Sequence, residues 1–234
     1  MKKYYTRVCN FAYGKSSIKL IKKKNNLPLN GNNEFSFSQI EIITRDAKRT
    51  IDLKDIKKLS KPLREKINKD LKTIIKKNKN FSKLNFNKIP NIMGVLNLTP
   101  DSFSDGGKFN QKNAGVKHAI DLFKFGADIV DVGGESTRPG SKSISEKEEW
   151  SRIEKIIRKV GKKIPLSVDT RKADIMSKGV KIGIKLINDV SGLSYDSKTI
   201  DVLRKNKSPF VIQHSQGIPE NMQNNPKYKN ELLD

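Results

Sequence analysis

The spacing of apolar positions changes character along the chain. In residues 36–45, Phe37, Ile40 and Ile42 alternate with polar neighbours, which predicts a half-buried strand. In residues 62–77 the period lengthens: Leu63, Ile67, Leu71, Ile74 and Ile75 form one helical stripe behind Pro62, a residue suited to a first turn. Residues 4–9 predict a short strand and residues 16–24 a short helix. Residues 78–90 are polar, aperiodic and turn-rich, as a linker is. Beyond them, apolar runs at residues 92–97, 127–132, 165–169, 185–189 and 209–214 predict strands. Helices are expected between them at residues 113–125, 146–160, 172–181 and 197–205. The first two carry the stripes Val116–Ile120–Phe123 and Trp150–Ile153–Ile156–Ile157, so Phe123 and Trp150 are expected to pack helix against sheet. Apolar strands alternating with helices mean a parallel sheet, either a β/α barrel or an open doubly wound sheet.

Polar residues at the strand ends separate those two. Asn97, Asp131, Asp169, Asn188 with Asp189, and His214 each lie at or near the end of a successive strand. Glycine-bearing loops follow the first two strands, at residues 101–107 and 133–140. A β/α barrel builds its site from every loop on that face, whereas an open sheet gathers ligand groups at one crevice. The expected fold class is α/β, a (β/α)8 TIM barrel over residues 89–234, with a small basic α+β unit of unassigned function over residues 1–88. Five strands are predicted against the eight of a closed barrel, so the barrel is expected to be incomplete here and the isolated chain inactive.

Charge alters this picture little. The net charge is +23, and residues 1–90 hold 24 Lys/Arg against 7 Asp/Glu. A basic front invites a nucleic-acid partner. Yet 39 of the 48 cations are lysine and the helix around Lys66–Lys79 lacks interleaved aromatics, so compositional drift is the better account. Cys9 is the only cysteine, which excludes a disulfide framework and a cysteine-rich zinc site. With Arg7 in the opening residues and no apolar run of eighteen, a soluble, cytoplasmic protein is expected, neither exported nor membrane-spanning.

The strand-end groups suggest a ligand. Asp169 and Asn188 pair a carboxylate acceptor with an amide that donates and accepts, a set suited to a flat, nitrogen-rich heterocycle such as an aminopyrimidinone. Asn97 offers one neutral oxygen, enough for a Mg²⁺ held mostly by water and phosphate. Thr137 and Arg138 offer a hydroxyl and a guanidinium to an anion, and the spacing from Gly134 to Gly140 does not fit a Walker A loop. Singly, Asn97 could cap its loop, Asp169 could cap the next helix and Arg138 could be a solvated cation. Ordered on consecutive strand ends, they define a pocket. His118 reads as a surface residue and His214 as a structural group near the pocket.

Residues 92–107, through Asn97-Leu98-Thr99-Pro100-Asp101-Ser102-Phe103-Ser104-Asp105-Gly106-Gly107, resemble the first motif of dihydropteroate synthases. Residues 126–140, through Asp131-Val132-Gly133-Gly134-Glu135-Ser136-Thr137-Arg138-Pro139-Gly140, resemble the second. Ser167-Val168-Asp169-Thr170, Ile187-Asn188-Asp189-Val190 and the stretch from His214 to Gln223 are similar to the next three. The resemblance implies condensation of 6-hydroxymethyl-7,8-dihydropterin diphosphate with p-aminobenzoate, giving 7,8-dihydropteroate and pyrophosphate, with sulfonamides as competitors. It implies a pterin grip by Asp169 and Asn188, a Mg²⁺ ligand in Asn97, and substrate contacts at Thr137, Pro139 and Gln213. Asp101, Phe103, Asp105 and Arg138 would shape the loops around the diphosphate and p-aminobenzoate. A homodimer is implied for the full-length enzyme, with small molecules, not nucleic acid or membrane, as partners. Gln213 departs from the family, which usually has an apolar Met there, though its amide can reach the ring edge. The family's later Asp-Pro-Gly-Phe-Gly, Ser-Arg-Lys and Arg-x-His motifs have no counterpart here. A pterin-binding methyltransferase would share the Asp/Asn grip but not need the two long loops. An inactive barrel with a nucleic-acid-binding front half is the non-enzymatic alternative.

Overall fold

The computed structural model describes residues 4–77, 85, 90–99, 113–137, 141–218 and 221–228. The chain forms two compact units, Met1–Lys79 with Tyr228–Asp234, and Asn80–Lys227.

In the first unit, β1 (Tyr5–Tyr13) runs antiparallel to the long β3 (Asn32–Ile43). The other edge of β3 pairs with β2 (Leu27–Leu29) and then with β4 (Lys48–Asp52). Helix α1 (Gly14–Lys22) follows β1, and a 3₁₀ turn (Leu53–Lys58) leads into α2 (Lys61–Ile74). The apolar stripe of α2 does what its spacing predicts: Ile67 and Leu71 are buried in one cluster with Phe37, Ile40 and Ile42. Two strands were not expected. In β2, Pro28 removes a ladder donor and marks an edge position; β4 has one apolar residue, Ile51, among three charged ones and a threonine. Their pairing comes from β3, not from their own pattern.

The second unit is a parallel sheet. Strands β5 (Met93–Asn97), β6 (Ile129–Gly133), β7 (Leu166–Asp169), β8 (Leu186–Asp189) and β9 (Phe210–Ile212) lie side by side in sequence order. Helices α3 (Ala114–Lys124), α4 (Glu146–Val160), α5 (Ala173–Ile182) and α6 (Thr199–Asn206) separate them. Sequential order is how a β/α barrel is laid down; a doubly wound sheet reverses direction partway. All five expected strands are present, each within a few residues of its predicted bounds.

Helix α4 shows how local chemistry sets an element. The Ser145 hydroxyl accepts from the Glu148 N–H at 3.1 Å, three glutamates occupy the first turn, and Arg158 and Lys159 the last. Such a cap contributes about 1 kcal/mol, and the charges complement the helix dipole. Ile153, Ile156, Ile157 and Val160 then pack under Val130, Val132, Leu166 and Val168 of the sheet, with Trp150 partly buried beside them. Phe123 departs from expectation: it is 38% exposed, while Ala119 is the fully buried side chain of α3. None of the helices among the described residues is long and apolar enough to cross a membrane.

Candidate functional site

Register places the polar strand ends in two rows on one face of the sheet. Asn97 lies opposite Gly133, Gly133 opposite Asp169, Asp169 opposite Asn188, and Asn188 opposite Val211. One pleat deeper, Val95 faces Asp131, Asp131 faces Ser167, and Leu186 follows. Residues two apart on a strand share a face, so the rows stack into one surface with polar groups towards the C-terminal ends. Gly133 leaves the upper row open: a Cβ there would meet Asn97 Oδ1 at 3.1 Å and Asp169 Oδ2 at 3.6 Å. Thus Asn97, Asp169 and Asn188 come together. Asp169 is not a helix cap: Lys172 holds the N-cap position of α5, and the Ala173 N–H donates to Asp196 Oδ2 at 2.9 Å.

The electrostatics of Asp169 differ from a solvated carboxylate. It keeps some contact with solvent, yet protein encloses it closely enough that burial, and then the charges of Asp131, Glu149, Asp189 and Glu135, push its pKa up to about 8. Asp131 is 5% exposed and also raised, by burial first, with Ser167 and Asn188 opposing. Its Oδ2 accepts from Asn188 Nδ2 at 2.9 Å, while Oδ1 and the Ser167 hydroxyl both lack a hydrogen-bond partner. Ser167 is near enough to favour the charge without making a hydrogen bond to it. Asp189 points elsewhere, accepting from Ser191 N, Ser191 Oγ and Leu193 N to tie the turn after β8.

Thr137 lies on the loop after β6, whose two ends are pinned by Glu135. That carboxylate accepts from Arg171 Nε at 2.9 Å, Lys172 Nζ at 2.8 Å, Ile144 N at 3.0 Å and Ser143 Oγ at 3.2 Å. Lys172 also donates to Glu149 Oε2 on α4 at 2.6 Å. Burial works to raise Glu135, but its bonds from Lys172, Arg171 and the Ile144 N–H together outweigh it and hold the carboxyl below its usual range. For Glu149 burial prevails and raises it. Burial opposes the charge of Lys172, but Glu135 and Glu149 together raise its pKa. Arg171 stacks over Tyr195 with 4.1 Å to the ring centroid. Gly134 permits the close approach: a Cβ there would meet the Glu149 carbonyl at 2.8 Å. This buried cluster was not anticipated. Its one sequence signal is Glu149, which falls four residues before Ile153 on the buried side of α4.

The remaining expected site residues divide. Gln213 is exposed just after β9, its N–H reaching the Asp189 carbonyl at 3.3 Å. Asp101, Phe103, Asp105, Arg138 and Pro139 lie outside the described residues. Among the described residues no group of three or more His, Cys, Asp or Glu is arranged to hold a metal. Asn97 fits a different kind of site, a lone neutral oxygen beside an open glycine, suited to a cation ligated mainly by water and substrate.

An acceptor-rich row on successive C-terminal strand ends lies where a β/α barrel builds its site, and sequence relationships supply the family. The family described as pterin binding enzyme matches residues 93–234. The chain belongs to that family. It is 47% identical over 143 residues to the dihydropteroate synthase of Neisseria meningitidis serogroup C, covering 60% of this chain and 50% of that protein. Among solved structures, the Yersinia pestis dihydropteroate synthase with a sulfonamide drug complex superposes with a TM-score of 0.56 at 40% identity, covering 59% of this chain and 51% of that one. The Xanthomonas albilineans dihydropteroate synthase with 4-aminobenzoic acid gives 0.52 at 39% identity, covering 59% and 49%. The chain spans about half the length of the curated relatives it matches.

Proposed function

We propose that residues 93–234 carry the pterin-gripping side of a dihydropteroate synthase, which joins 6-hydroxymethyl-7,8-dihydropterin diphosphate to p-aminobenzoate. The observation that carries this reading is the register row Asn97–Gly133–Asp169–Asn188. Asp169, once ionised, accepts from adjacent ring N–H groups, and Asn188 supplies a second acceptor beside it. Thr137 contacts the diphosphate end of the substrate; the roles in diphosphate and aminobenzoate binding that the family resemblance gives to Asp101, Phe103, Asp105, Arg138 and Pro139 rest on sequence alone. Gln213 reaches the ring edge. Asn97 is the protein ligand for a Mg²⁺, which when bound offsets the diphosphate's charge.

In the reaction the methylene carbon loses its bond to the diphosphate oxygen and gains one to the aryl nitrogen. Pyrophosphate leaves, and the nitrogen sheds a proton. An arylamine is nucleophilic without a strong base, so this chain's residues act by holding the ring still and excluding misaligned approach. Calorimetric titration of the chain with 6-hydroxymethylpterin, which lacks the diphosphate, tests the grip. One saturable site is expected, weakened about tenfold in Asp169→Asn, because a donor then faces ring donors. A folded chain that takes up no pterin refutes the reading.

A further inference from the structure

Asp131 is placed where the reaction does not obviously need it. Its side chain lies one pleat below the row that faces the ligand, 5% exposed and with no cation bonded to it among the described residues. Desolvating a carboxylate is costly, and a leucine would suit a barrel floor better. What Asp131 does have is Asn188: Nδ2 of that amide donates to Asp131 Oδ2 at 2.9 Å across β6 and β8. A primary amide is nearly symmetric in shape, and its two orientations differ only in which end presents donors. A neighbour that can only accept breaks the symmetry. With its NH₂ drawn to Asp131, Asn188 turns its oxygen outward.

We propose that Asp131 is a positioning residue that sets the polarity of Asn188, so that the Asn188 carbonyl, and not its NH₂, meets the pterin N–H groups. This rests on the pterin reading above. It gives the deeper row a role in ligand choice: a ring presenting acceptors at that edge is rejected through a residue it never touches. Asp169 alone could accept from the same ring edge, but nothing in its contacts orients Asn188.

The test is a double-mutant cycle on the full chain, read as affinity for 6-hydroxymethylpterin. Asp131→Leu, close in volume and without an acceptor, is expected to weaken binding about tenfold, the scale of one mispaired buried donor. In an Asn188→Ala background it is expected to change affinity less than about twofold, since no amide remains to orient. Asp131→Asn is expected to bind within about threefold of wild type: its carbonyl still accepts from Asn188, and its NH₂ faces the unpartnered Ser167 hydroxyl. Wild-type affinity in Asp131→Leu, or losses that multiply in the double variant, overturns the proposal. So does an Asp131→Asn loss equal to that of Asp131→Leu.

If Asp131→Leu does not fold, exchanging the two groups decides instead. Asn188→Asp alone opposes two carboxylates and should bind at least about tenfold more weakly. Adding Asp131→Asn restores a donor beneath the new acceptor and should recover affinity to within about threefold. No recovery overturns the proposal. Side-chain amide NMR of the ligand-free chain separates this idea from the pterin reading. One Asn188 Nδ2 proton should be protected from exchange in wild type and Asp131→Asn, and unprotected in Asp131→Leu. A wild-type chain that shows the protected proton and takes up no pterin defeats the functional reading alone. An unprotected one defeats the positioning.

Discussion

Lys172→Met asks whether the buried ion cluster holds the strand-end loops together. The change keeps the apolar stem and removes the ammonium that donates to Glu135 Oε1 at 2.8 Å and Glu149 Oε2 at 2.6 Å. All three residues are at most 6% exposed, so no water replaces the lost partner. Removing one member of a buried pair costs about 3–5 kcal/mol, because the other charge is left uncompensated. Arg171 stays on Glu135 at 2.9 Å, so Glu149 bears most of the loss, and its Oε1 already lacks a partner. Glu149 can reduce the cost by taking a proton.

That escape fixes the pH dependence. Burial already raises the Glu149 pKa above its ordinary 4.5 against the pull of Lys172, and without Lys172 it rises further. A carboxyl raised by folding binds its proton more tightly in the native state. Its penalty is therefore absent at low pH and grows as pH climbs from the unfolded value through the folded one. The variant should lose less at pH 5 than at pH 8. Urea unfolding followed by Trp150, the single tryptophan, reads the unit directly because that ring packs partly buried against its core. With a slope of about 1–3 kcal/mol per molar urea, the midpoint should fall by at least about 1 M at pH 8. A loss under about 1 kcal/mol at pH 8, or one that does not shrink at pH 5, refutes the cluster's role.

Two further outcomes follow from the upper row. Because the Asp169 pKa is pushed up to about 8, the ligand must meet a mostly neutral acid at pH 7. The ratio of wild-type to Asp169→Asn affinity for 6-hydroxymethylpterin should widen about tenfold between pH 7 and pH 9, the ligand's own titration cancelling; a flat ratio contradicts the raised pKa. Asn97→Ala should raise the Mg²⁺ concentration needed to bind the pterin diphosphate while leaving the diphosphate-free pterin unaffected, since such sites have few protein ligands to lose. Calorimetry across a Mg²⁺ series that superimposes on wild type removes Asn97 from the metal.

What the sequence made legible was whatever repeats at short range. The stripe of α4 and the apolar runs of β5 to β9 are local patterns, and each reappears within a few residues of its expected bounds. The upper row was legible too, because position at a strand end carries its own signal: Asn97, Asp169 and Asn188 each close an apolar run. The lower row was legible only in part: Asp131 reads as one more polar group near the end of the run 127–132, while its link to Asn188 spans 57 residues and leaves no local trace. Glu135, Lys172 and Glu149 escaped for the same reason, being charged residues whose partners lie on three different elements. Lys172 in particular resembles any other lysine in a chain that holds 39 of them. Burial alone distinguishes it, and burial is set by tertiary contacts that no spacing encodes. Likewise β2 and β4 exist because β3 is long enough to hold two partners end to end along one edge.

Five carboxylates, Asp131, Glu135, Glu149, Asp169 and Asp189, crowd the C-terminal ends of β6 to β8, and four of them contribute to raising the fifth. Arg171 and Lys172 compensate only the side towards α4 and α5. Among the described residues, the face of the sheet is thus left acceptor-rich and short of cations. Under the proposed reading that asymmetry orients the substrate. The ring edge bearing N–H donors is drawn towards Asp169 and Asn188, and once Asp169 is ionised the anionic diphosphate is repelled from it towards β5. There the row ends in Asn97, a neutral amide, where an aspartate would be a further negative charge close to Asp169, with only Gly133 between them. A single oxygen without charge can ligate a cation that the substrate itself brings, and adds no repulsion when the cation is absent. Polarity along the row, from carboxylate to amide to open glycine, is therefore enough to place a molecule that is a donor at one end and an anion at the other.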